Sequence, residues 1–140
     1  MNYSLSKNEL FKSTGKLHYG ETKLVVEIDQ GLSEYYFSLV PKYVKLNPQR
    51  YGAHISVVRK EVPPKMEYWK KYQDEPIEFF YDPFIFNGTV YYWMNAFSSR
   101  LEEVRHELGL PVSSEYTRPP GGFFKCFHMT LGNTKWLDQD

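Results

Sequence analysis

Ala53-His54-Ile55-Ser56-Val57 and Phe127-His128-Met129-Thr130-Leu131 share one pattern: apolar, His, apolar, hydroxyl, apolar. Successive side chains on a β-strand face opposite ways, so residues i and i+2 share a face. Read as strands, the two segments turn Ile55, Val57, Met129 and Leu131 toward a core. They place His54 with Ser56, and His128 with Thr130, on the other face. Two imidazoles and two hydroxyls converging on one space would grip a phosphate and move protons around it without a metal. The other two histidines, His18 and His106, are followed two places on by Gly20 and Leu108 and carry no such pattern.

Working outward, Lys23 to Asp29, with Leu24-Val25-Val26 and Ile28, reads as a strand. Leu32, Tyr36 and Leu39 then fall at helical spacing, with Ser33 as a cap and Pro41 as the stop. Tyr43 to Leu46 is short and extended, Asn47-Pro48 marks a turn, and Ala53 to Arg59 is the first motif strand. After Pro63-Pro64, the spacing of Met66, Trp69 and Gln73 predicts a short helix. Ile77 to Tyr81 reads as a strand, and Asn87-Gly88, between Phe84-Ile85-Phe86 and Thr89 to Trp93, is a hairpin signal. Ser99 with Glu102 forms a capping-box pattern ahead of a helix whose face is Leu101, Val104 and Leu108, and Gly109-Leu110-Pro111 ends it. Thr117 to Gly122 is a loop, and Phe123 to Leu131 is the second motif strand. Mixed strands and helices without a βαβ repeat predict an α+β fold with largely antiparallel sheet. The order strand, helix, His-bearing strand occurs twice.

At 140 residues one domain is expected: a mobile N-terminus over 1–14, a domain over 15–136 and a tail over 137–140. Seventeen basic and seventeen acidic residues cancel, so no global field favours long nucleic acids or anionic membranes. The charge is uneven along the chain, however. Tyr35 to Lys60 and Tyr116 to Leu137 contain no acid, and each of these basic stretches holds one His motif. That coincidence favours a locally positive cleft for a small anion. Cys126 is the single cysteine, which excludes an internal disulfide and a cysteine-cluster metal site and fits a reducing compartment. With no H-x-x-x-H or H-x-H spacing, no metal and no cofactor are expected. No segment resembles a secretory signal or a membrane span, so a soluble, cytoplasmic protein is expected.

Two H-x-[ST] motifs with apolar flanks in one small α+β domain resemble the 2H phosphoesterase superfamily, here through His54/Ser56 and His128/Thr130. Leu17-His18-Tyr19, Tyr91-Tyr92-Trp93 and the Thr117-Arg118-Pro119-Pro120 loop extend the likeness. They point to the viral branch called Swiss-army-knife RNA-repair-like, associated with phage nucleases that destroy the cyclic oligonucleotide signals of CBASS defence. The resemblance implies a bilobal fold in which each lobe contributes one motif strand to a central groove. It also implies a metal-independent phosphodiesterase with His54 and His128 exchanging protons and Ser56 and Thr130 donating to phosphate oxygens. In this reading Tyr19 and Trp93 stack on bases, Arg118 and Lys125 steer phosphate, and Tyr51 lines the mouth. A phage protein of this kind would act in the host cytoplasm. The residues leave open which imidazole is the base, and whether water or a substrate 2′-hydroxyl attacks. Two other readings stand beside it: an RNA-end-processing 2′,3′-cyclic phosphodiesterase, and a module that binds a nucleotide or RNA end without turnover.

Overall fold

The computed structural model describes residues 10–49, 52–111 and 126–135. Its elements run β1 (Phe11–Tyr19), β2 (Leu24–Ile28), α1 (Gln30–Leu39), β3 (Asn47–Pro48), β4 (His54–Val58), β5 (Pro76–Tyr81), β6 (Phe86–Asn87), β7 (Tyr91–Phe97), α2 (Ser99–Glu107) and β8 (Phe127–Asn133). All strand pairings are antiparallel. The order β8-β4-β2-β1-β5-β7, with β7 pairing back to β8, closes six strands into a barrel, while β3 and β6 add short edges. The α+β class therefore stands. The two motif strands are neighbours in one closed sheet, joined at Ile55 and Met129, the middle residues of the two motifs.

Alternation fills the barrel. Leu17, Val26, Ile55, Ile77, Phe79, Met94, Phe127 and Met129 are all fully buried in one core. On the opposite faces of β4 and β8, His54, Ser56, His128 and Thr130 are half-buried, which is the parity expected from sequence.

The strands flanking each motif match in register. Glu27 stands opposite His54, Val26 opposite Ile55 and Val25 opposite Ser56. Asn95 stands opposite His128, Met94 opposite Met129 and Trp93 opposite Thr130. Each ladder then slips at the same place, just past the hydroxyl, to pair Leu24 with Val58 and Tyr92 with Gly132. The slips leave Val57 and Leu131 as the extra residues of two bulges, which turn the strand beyond each motif. Gly132 is required there, because a Cβ would strike the Asn47 carbonyl oxygen of β3.

Several local expectations are corrected. β1 begins at Phe11 and pairs with β5, so the mobile segment expected over 1–14 does not include residues 11–14; residues 1–9 lie outside the described residues. Asp29 caps α1 by accepting from the Gly31 amide, while Ser33 lies inside the helix and its hydroxyl donates to the Gln30 carbonyl. Ser98 caps α2 by accepting from Leu101 N–H, so the Ser99–Glu102 box is not used. After Pro64 there is a 3₁₀ turn over Met66–Tyr68 rather than a helix reaching Gln73. The β6–β7 hairpin forms, but Asn87 already pairs with Tyr92 and the Gly88 amide bonds to the Tyr91 carbonyl. The bend therefore falls at Thr89-Val90, two residues past the Asn87-Gly88 position read from the sequence.

Candidate functional site

The approach to β4 is set by Gln30, the first residue of α1. Its side-chain amide donates to the Ala53 carbonyl (3.1 Å) and accepts from the Ala53 N–H (3.1 Å), pairing with the backbone as a strand would. Gly52 turns the chain beneath it at φ +86°, where a Cβ would come within 2.9 Å of the Gln30 Oε1. The left-handed backbone favours glycine here, and a side chain would push the Gln30 amide from its bonds to Ala53. His54 Nδ1 then lies 3.2 Å from the Gly52 carbonyl oxygen. A carbonyl can only accept, so Nδ1 carries the proton, and in the neutral ring Nε2 is the basic nitrogen.

His54 and Ser56 open into a groove of about 200 Å³ walled by Lys23, Gln49, Arg59, Tyr91 and Lys135, among others. Three cations stand at this small groove; Arg59 and Lys135 come from the acid-free stretches and Lys23 does not. Burial holds the His54 pKa below its ordinary value, the Gly52 carbonyl opposes this, and Lys23 and Arg59 add to the lowering. The neutral, proton-accepting form is thus favoured at neutral pH.

His128 and Thr130 do not wall that groove. One step from the Ile55–Met129 pair, antiparallel strands bring His54 beside Thr130 and Ser56 beside His128. The imidazoles are then on diagonally neighbouring residues of one face, a relation that sets the residues about 7–8 Å apart. The His128 ring stacks on Trp93, with centroids 4.8 Å apart and planes at 25°. Its Nε2 is buried without a hydrogen-bond partner among the described residues, as is Nδ2 of Asn95 opposite it. Asn95 Oδ1 is engaged, accepting from Trp93 Nε1 at 3.1 Å. Burial alone pushes the His128 pKa down to about 4.

Trp93 is thus brought to the motif face, against His128. Tyr19 is not: its side chain is buried in the core, edge-on to Trp69 at 5.1 Å, and it offers no stacking face. Tyr51, Arg118 and Lys125 lie outside the described residues. Cys126 is buried, and burial pushes its thiol up to about 12, so it is no nucleophile at neutral pH. Lys23, Arg59, Lys135 and Gln30 were not singled out as site residues from sequence. Lys135 and Arg59 had only the acid-free runs as a signal, and Gln30 had none. Among the described residues no three His, Cys, Asp or Glu side chains cluster as metal ligands, and no helix is long and apolar enough to cross a membrane. No family model matches the chain, and no curated protein or solved structure is significantly similar to it.

Proposed function

We propose that the chain is a metal-independent phosphodiesterase acting on a small cyclic nucleotide or oligonucleotide, the counter-defence role that the viral resemblance suggests. The observation that carries this reading is the meeting of the two His-x-hydroxyl motifs on neighbouring strands, centred on Ile55 and Met129 and facing one way. The matched registers around them support two lobes fused into one barrel, β1-β2-α1-β4 and β5-β7-α2-β8. Lys23, Arg59 and Lys135 hold the phosphate, and Ser56 and Thr130 donate to its non-bridging oxygens. His54, neutral with Nε2 free, takes the proton from the attacking oxygen, either water or a 2′-hydroxyl. The new P–O bond forms as the opposite P–O bond breaks, and His128 gives its proton to the leaving oxygen. His128 and Thr130 must first be uncovered and His128 protonated, and a bound phosphate favours this by giving His128 Nε2, which has no partner among the described residues, an anionic acceptor.

The test is turnover of cyclic dinucleotides, cyclic trinucleotides and a 2′,3′-cyclic mononucleotide in EDTA. Cleavage of cyclic oligonucleotides, lost by about 10²-fold or more in both His54→Ala and His128→Ala, is expected. Both imidazoles titrate below 6.5 in the free protein, so kcat/KM should decline as pH rises above that value. Loss of activity in EDTA, or a variant at wild-type rate, removes the mechanism. Opening of the mononucleotide alone selects end processing, and binding without turnover selects a binding module.

A further inference from the structure

A larger cleft of about 510 Å³ adjoins the His54 groove, and Lys23 and Arg59 wall both. Its apolar lining is Val62, Pro63, Met66 and Trp69, set beside the polar Glu21, Thr22, Lys60 and Glu61. Both sides are pinned to the barrel. Trp69 Nε1 donates to the Gly20 carbonyl at 3.0 Å, and the ring packs edge-on against buried Tyr19. Across from it, the chain leaving β4 turns through Lys60 at φ +57° into Glu61, whose two carboxylate oxygens each accept from Arg105 at 2.9 Å. Arg105 is fully buried. Val62 and Met66 nonetheless stay 87% and 44% exposed, an apolar surface that the described residues leave uncovered.

The geometry points to this cleft as the binding site for a nucleobase of the nucleotide whose phosphate lies in the His54 groove. The inference rests on the phosphodiesterase reading for its occupant and extends it to the substrate's base. Two cations stand at the junction of the clefts, so an occupant spanning both is anionic at that point and apolar beyond it. A nucleotide has that polarity: phosphate at one end, a flat aromatic ring at the other. The cleft volume is in the range of small-ligand sites, and an indole and a thioether suit a π-face.

An NMR titration of the intact protein with AMP and with ribose 5-phosphate separates the base from the sugar-phosphate. AMP should bind about tenfold more tightly than ribose 5-phosphate, the margin expected of one stacked base. Met66→Asn and Val62→Asn, uncharged changes at exposed positions, should erase that margin while leaving ribose 5-phosphate affinity unchanged. His54→Ala should preserve it. Equal affinities in the wild type, or a margin that survives both substitutions, overturns the base site, and does so even if cyclic dinucleotides are cleaved normally. A margin that behaves as expected in a protein that cleaves nothing keeps the base site and removes the phosphodiesterase. Binding of neither ligand removes the base site, and turnover of cyclic dinucleotides then decides the phosphodiesterase separately.

Discussion

His54 and His128 hold equivalent places in two halves of one barrel, with the same motif, the same strand parity, the same opposing positions and a bulge at the same step. Their surroundings differ. His54 faces Glu27 and opens on a groove edged by Lys23, Arg59 and Lys135. His128 faces Asn95, lies against Trp93, and keeps a buried nitrogen without a partner among the described residues. The motif therefore sets direction, while the neighbouring strand sets dielectric and charge. A reaction that needs one proton donor and one acceptor benefits from this inequality, since two imidazoles in identical settings would titrate together.

The largest break in the equivalence lies at Arg105. From α2 its guanidinium crosses to the His54 strand, donating to the Val57 carbonyl at the bulge (2.7 Å), to the Pro111 carbonyl (2.7 Å) and to both oxygens of Glu61. Arg105→Met strips a donor fork from two carbonyls and a carboxylate, and should cost about 3–5 kcal/mol of stability. Urea unfolding checks this, and a cost below about 1 kcal/mol would show that the polar cluster is hydrated in solution.

The residues that carried this comparison were unequally legible. Both motif strands could be read because one face of each is core, and period-two alternation is a local signal. β1 was missed because only Leu17 and Tyr19 of its nine residues are buried, leaving little alternation to read. Barrel closure is a set of long-range pairings that no local pattern encodes, and neither is the meeting of Ile55 with Met129. Arg105 sits on the same helical stripe as Leu101, Val104 and Leu108, but sequence could not reveal that Glu61 and two carbonyls await it. Tyr19 was misplaced for the converse reason: its ring serves the core, and aromatic composition does not distinguish a core ring from a stacking platform.

Acid should expose the second difference. The folded pKa of His128, about 4, lies below the ordinary value of 6.5, so the unfolded chain takes up the proton first as pH falls. The stability associated with neutral His128 is complete above pH 6.5 and is lost progressively as pH falls toward 4. Integrated over that window, the loss is about 3 kcal/mol. His128→Gln should flatten the fall in unfolding free energy between pH 7 and 4.5. His54→Gln should flatten it less, because its ring already opens on a groove. Equal slopes in the two variants would mean that His128 is as hydrated as its counterpart.

The smallest effect is the most direct test of what makes the halves unequal. Val25 stands opposite Ser56 where Trp93 stands opposite Thr130, so Trp93→Val gives the second half the first half's residue. Two consequences of losing the indole oppose each other. Its π-face favours the imidazolium, so removal would lower the His128 pKa further. Its bulk excludes water, so removal would raise it. Burial is the cause that holds this pKa low, so the loss of cover is expected to outweigh the loss of the π-face. The variant should therefore raise the His128 pKa by about one unit, worth about 1.4 kcal/mol, as read from the ring-proton shifts in an NMR titration. The His54 titration should stay in place, since its ring touches Gly52 and the groove rather than Trp93. A fall in the His128 pKa would reverse the assignment: the indole would then be holding a proton on His128 rather than keeping water from it.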